Sequence, residues 1–100
     1  MSLDRVIDLL RRNGPNLADL DARIKFLVEG EGPVLLDATT APPSIAREDG
    51  AADCTIELSP ETLEQLLTGT LSPTWAYTTG RLKIEGSLGV ALKFASKLDS

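Results

Sequence analysis

Few groups in this chain could do chemistry. They are one cysteine (Cys54), one tyrosine (Tyr77), scattered serine and threonine hydroxyls and 15 carboxylates, with no histidine. A hydroxyl or thiol nucleophile needs a neighbouring base, most often histidine, so the usual constellations cannot be assembled. The same absence removes the commonest transition-metal ligand, and a lone cysteine cannot form an internal disulfide. Cys54 stands in "DCTIELS", where Cys54, Ile56 and Leu58 alternate with Thr55 and Glu57. That is the pattern of a half-buried strand, in which the thiol is a small core group. Asp53 reads as the end of a loop. The chain is expected not to be an enzyme, and no cofactor or metal is implied. What remains is binding, which the apolar residues would have to perform.

The 100 residues are 42% apolar, and mean hydropathy is -0.01. These values suit one globular domain over residues 1–100, with a thin core. No apolar run approaches the roughly 18 residues of a membrane span. "MSLDRVIDLL" carries acids where a secretory signal carries bases, so a cytoplasmic location is expected. Net charge is -5, and it is segregated: nine acids face only Arg47 between Glu29 and Glu64, whereas four bases face only Glu85 between Arg81 and Lys97. An acidic chain without a basic, aromatic-rich stripe argues against a nucleic-acid partner. The basic end reads first as a solvated face. Its sharper reading is transient docking on an anionic membrane surface through Lys93 and Lys97, four residues apart on one helix side, with Arg81 and Lys83 adding charge.

Those groups must be positioned by a recognisable series of elements. "LDRVIDLLRR" spaces Leu3, Val6, Ile7 and Leu10 as a helix that "NGPN" ends. "ARIKFLVEGEG" alternates Ile24, Phe26 and Val28 against Arg23 and Lys25, then turns into "PVLLDAT", a hairpin signal. "PPSIARED" suits a third strand, held to an edge by its prolines, and "DCTIELS" a fourth. Ser59, Pro60, Glu61 and Gly69 punctuate a helix burying Leu63, Leu66 and Leu67. Ser72, Pro73 and Gly80 repeat the device around Trp75 and Tyr77. "RLKIEG" gives a fifth strand with Leu82 and Ile84 inward and Arg81, Lys83 and Glu85 outward. In the last helix Leu88, Ala91, Leu92, Ala95 and Leu98 form a stripe that Val90 and Phe94 widen. That face is broader than so small a core requires. Ser96-Lys97-Leu98 spells a peroxisomal address, but Asp99-Ser100 follow it, and no signal is expected from it.

The ordered run from Ala52 to Leu98 resembles the C-terminal half of the sterol carrier protein 2 domain family. The matching pieces are Ala52-Asp53, Thr68-Gly69-Thr70, Trp75-Ala76-Tyr77, Gly80-Arg81-Leu82-Lys83-Ile84, Gly86 and Ala91-Leu92-Lys93. Upstream, "LDARIKFLVEGEGP" is similar to the first hairpin of small stand-alone bacterial members, while residues 37–50 follow the pattern only in outline. The resemblance implies an α+β fold: a five-stranded, mostly antiparallel sheet covered on one face by helices, with an apolar cavity between the layers. It also implies non-catalytic binding or transfer of a fatty acid, acyl-CoA, sterol or phospholipid. The residues expected to line the cavity are Leu66, Leu67, Trp75, Tyr77, Leu88, Leu92 and Phe94. The alternative is an accessory or interaction module of a larger lipid pathway, in which side chains fill the cavity. No protein partner is legible.

Overall fold

The computed structural model describes residues 3–40 and 42–99; Met1, Ser2, Ala41, Ser100 and the side chain of Asp99 lie outside it. Helix α1 (Leu3–Arg12) forms on the expected spacing and buries Leu3, Val6, Ile7, Leu9 and Leu10. Asp4 in its first turn and Arg11 and Arg12 in its last complement the helix dipole. The sequence reading takes "NGPN" as a stop, but the chain coils again through α2 (Gly14–Leu17) and a 3-10 turn at Ala18–Leu20. A first-turn N–H has no partner within a helix, so proline opens a helix as readily as it ends one. Leu17 and Leu20, both wholly buried, anchor the restart.

Strands β1 (Arg23–Val28) and β2 (Gly32–Asp37) form the expected hairpin, with Ile24 opposite Leu36 and Phe26 opposite Val34. Strand β3 (Ser44–Ala46) pairs antiparallel with β2 and is a short edge strand, as Pro42 and Pro43 dictate. Strand β4 (Cys54–Leu58) then crosses to the far side of β1 and runs parallel to it. Strand β5 (Leu82–Gly86) closes the sheet antiparallel to β4, giving the order β3-β2-β1-β4-β5. The sheet is therefore mixed. Alternation has period two in parallel and antiparallel strands alike, so the sequence pattern does not reveal the β1–β4 pairing.

Residues 47–53 carry the crossing, and specific contacts set its register. Lys25 donates to the Asp49 carboxylate at 2.8 Å. At the end of the segment, the Asp53 N–H donates to the Arg23 carbonyl and the Arg23 N–H to the Asp53 carboxylate, both at 2.9 Å. The Asp53 carbonyl meanwhile accepts from the Ser87 N–H at 2.9 Å. Asp53 thus joins the start of β1, the start of β4 and the exit from β5. This gives the Ala-Asp element of the resemblance a structural role.

Helices α3 (Pro60–Leu67), α4 (Pro73–Thr78) and α5 (Leu88–Asp99) complete the chain. Ser59 caps α3 as expected, its hydroxyl oxygen accepting from the Thr62 N–H at 3.1 Å. Ser72 precedes α4 without a side-chain cap bond. That helix is closed at its far end, where the Gly80 and Arg81 N–H groups bond back to the Tyr77 and Ala76 carbonyls. Ser87 caps α5 by accepting from the Val90 N–H at 3.2 Å. The sheet register matches the sequence expectation. Cys54, Ile56 and Leu82 are buried and Ile84 half-buried on the inner face, whereas Glu57, Arg81 and Lys83 are exposed and Thr55 half-buried.

Candidate functional site

An apolar cavity of about 170 Å³ lies between the β1–β4–β5 side of the sheet and helices α3, α4 and α5. Its floor follows from strand alternation: Phe26 on β1, Ile56 and Leu58 on β4, Leu82 and Ile84 on β5. Phe26, Ile56 and Ile84 are register partners, forming a row from inside the sheet to its β5 edge. The roof comprises Leu66 of α3, Pro73, Thr74 and Tyr77 of α4, and Leu88, Ala91, Leu92, Phe94, Ala95 and Leu98 of α5. Among the described residues the lining contains no charged side chain, and Thr74 and Tyr77 are its only polar side chains. Among the described residues no buried side-chain nitrogen or oxygen lacks a hydrogen-bond partner. The cavity therefore aims no orphaned polar group at a ligand, and what it can offer is burial of apolar surface.

One end is closed and the other open. At the closed end the Phe26 and Phe94 rings meet at 5.3 Å between centroids, tilted by 58°, a favourable edge-leaning geometry. At the open end stand Tyr77, Leu88 and Leu92, all exposed, with Leu92 at 63%. The sequence reading sees a single stripe on α5, but the helix buries mainly Ala91 and Phe94 and turns Leu88 and Leu92 to the mouth. Among the described residues no further strand lies beyond the β5 edge to cover them.

Of the seven residues expected to line a cavity, Leu66, Tyr77, Leu88, Leu92 and Phe94 do so together. Leu67 packs in the core outside the lining, and Trp75 is 59% exposed on α4, also outside it. Sequence reasoning treats Ile56, Leu82 and Ile84 as ordinary sheet core, yet they form the floor. Their inward alternation is legible, but alternation does not show where the helical cover lifts off the sheet. Phe26, in the first hairpin, lies outside the expected set for the same reason.

Lys93 and Lys97 share one side of α5 as expected, but Lys83 does not join them. Lys83 lies on the opposite face of the sheet, opposite Glu57 in the register. Lys93 donates to the Leu20 carbonyl at 3.4 Å and Lys97 lies 3.9 Å from the Asp19 carboxylate, so both tie α5 to the 3-10 turn. Reversing both charges (Lys93→Glu with Lys97→Glu) is expected to cost about 1 kcal/mol in urea denaturation at low salt, and less at high salt. An unchanged midpoint at low salt would remove their tethering role.

Cys54 is 1% exposed and stands outside the lining. Burial pushes its thiol up to about 11 from 9.0, with the Asp53 carboxylate adding to the effect. It is therefore a poor nucleophile in the folded protein. Because the folded state holds this proton more tightly, the linked stability is complete below pH 9.0 and is lost as pH rises towards 11. Over that window wild type should lose on the order of 2 kcal/mol more stability than Cys54→Ala. Parallel pH profiles for the two proteins would contradict this. Elsewhere, hydrogen bonds from Thr39 and then the Arg23 charge hold the Asp37 carboxyl below its usual range, and Lys25 does the same for Asp49. Both are remote from the cavity lining.

A mixed sheet and a helical layer with an apolar cavity between them define a domain of the lipid-binding type. The chain belongs to the SCP-2 sterol transfer family, whose sequence model matches residues 3–99. The family's general function is lipid binding and transfer. The chain is 39% identical over 67 residues to the sterol carrier protein 2 of Rattus norvegicus, covering 67% of this chain and 10% of that protein. It thus spans about a tenth of the length of that relative. Among solved structures, the palmitated SCP2L2 of Aedes aegypti superposes with a TM-score of 0.71 at 16% identity, covering 100% of this chain and 96% of that one. The inverting sec-alkylsulfatase Pisa1 from Pseudomonas sp. gives 0.78 at 22% identity, over 100% of this chain and 17% of the enzyme. At such identities these two likenesses show the fold.

Proposed function

We propose that residues 1–100 act as one non-catalytic lipid-binding unit that takes the apolar tail of an acyl lipid into the cavity and leaves its polar head at the mouth. The observation that carries this reading is an open cavity whose described lining residues are apolar except for Thr74 and Tyr77. Leu66, Tyr77, Leu88, Leu92 and Phe94 would contact the tail. Each methylene withdrawn from water contributes roughly 0.8 kcal/mol, so a tail alone can offset the cost of association without a hydrogen-bond code. Fatty acids and fatty acyl-CoA both present such a tail. No cofactor and no nucleic acid enter this reading. Among the described residues no helix is long and apolar enough to cross a membrane. Contact with an anionic membrane surface enters as a transient delivery step, made weak by the engagement of Lys93 and Lys97 with the 3-10 turn.

The test is mass spectrometry of lipids retained after gentle purification, followed by calorimetric titration with the lipid found. Saturable binding of one acyl lipid per chain is the expected result; no retained lipid and flat titrations would end the proposal. Trp75 is set apart from the lining, so ligand should change its fluorescence by only a few per cent. A large blue shift on binding would show that α4 rearranges around the ligand. A second reading, an accessory module of a larger protein, draws support from the matching fold within the alkylsulfatase chain. Stoichiometric co-purified protein in place of lipid would favour it.

A further inference from the structure

Resting on the lipid-binding reading, we infer that this cavity takes a single flexible acyl tail of limited length, measured against the Phe26–Phe94 pair, and does not accept a sterol. Three observations carry the inference. The first is size: about 170 Å³ is space for on the order of half a dozen methylene-sized groups at roughly 30 Å³ each. The second is the closed end. Phe26 and Phe94 are 0% and 3% exposed, and behind them α5 rests against α2 and the 3-10 turn, held there by Lys93 on the Leu20 carbonyl. The third is shape. The floor row Phe26, Ile56, Ile84 crosses three adjacent strands, roughly 10 Å at ordinary strand spacing, and ends at the exposed rim of Tyr77, Leu88 and Leu92.

A flexible chain can thread such a space until it meets the rings, and carbons beyond that point trail out of the mouth into water. Each added methylene should then tighten binding about fourfold up to roughly half a dozen carbons, with little gain beyond. A sterol is a rigid fused-ring body with a branched tail. It cannot enter part-way, and the described lining residues, apolar except for Thr74 and Tyr77, offer little to hold its hydroxyl.

The experiment is calorimetric titration of the whole chain with saturated fatty acids of about four to eighteen carbons, and with cholesterol. The expected profile rises and then breaks at roughly half a dozen carbons, and cholesterol shows no saturable binding. Ala91→Leu, which adds about three carbons to the lining, should move the break shorter by a similar number. Phe94→Ala should move it longer by several carbons, because the surrounding structure collapses only partly into the space vacated. Should Phe94→Ala fail to fold, Ala91→Leu still decides the question. Affinity that keeps climbing about fourfold per methylene to the longest acid, a break unmoved in Ala91→Leu, or cholesterol bound as tightly as the best-bound fatty acid overturns the inference. Binding of cholesterol but no fatty acid overturns it while preserving a lipid carrier. Failure of every probe to bind wild type overturns the lipid-binding reading itself, and the inference with it.

Discussion

Gly86→Ala is expected to destabilise the domain by about 3–5 kcal/mol, among the largest effects available to one methyl group. Gly86 ends β5 with a φ of 89°, a conformation that L side chains rarely adopt. A Cβ there would also lie 2.7 Å from the Asp53 carbonyl oxygen and 3.2 Å from the Cys54 Cα. Both obstacles are backbone, and neither can swing aside. Moving them would break the Ser87 N–H bond to the Asp53 carbonyl and the Asp53 contacts with Arg23, which hold β1, β4 and β5 in register. Domains of this size have about 5–15 kcal/mol in total, so the variant should unfold at a much lower urea concentration with an unchanged slope. A midpoint within experimental error of wild type would show that the junction is not the rigid point described.

Leu92→Glu should weaken tail binding at least tenfold while leaving the thermal midpoint within about 3 °C of wild type. The asymmetry follows from position. Leu92 lines the cavity, yet it is mostly exposed at the mouth, so little core packing is lost when it changes. A carboxylate there must either lose hydration when a tail enters or hold the mouth wet, and it also repels the head of a fatty acid. Calorimetry on wild type and variant with the same fatty acid, alongside thermal melts, separates the two effects. Unchanged affinity would place the entrance elsewhere, and a collapse in stability would make Leu92 a core residue.

Much of the architecture was legible in local pattern. Ser59-Pro60 marks the start of α3 through side-chain capping and a fixed φ, both set by adjacent residues. The alternation of Cys54, Ile56 and Leu58, and of Leu82 and Ile84, determined which face of each strand is inner, because side-chain direction in a strand repeats every two residues whatever lies beside it. The excess apolar width of α5 likewise signalled a helix with more to face than core. Pro15 misled, since a proline's fixed φ suits both an end and a beginning, and only the burial of Leu17 and Leu20 shows which applies.

The site needed the third dimension. Nothing local to Phe26 and Phe94, 68 positions apart, announces that their rings meet and close a cavity. Trp75 and Tyr77 share a short helix and similar exposure, yet only Tyr77 borders the cavity, because a helix turns by about 100° at each residue. The parallel placement of β4 beside β1 depends on residues 47–53 reaching across the sheet, a matter of chain path on which strand periodicity is silent. The sequence by itself therefore determined the five strands, helices α1, α3, α4 and α5, the inward faces of the strands and the family, through short-range sterics and the pattern of polarity. Tertiary structure alone decided where the helical layer stands off the sheet, because a void is a property of how separate surfaces fail to fill the space between them and belongs to no segment of the chain.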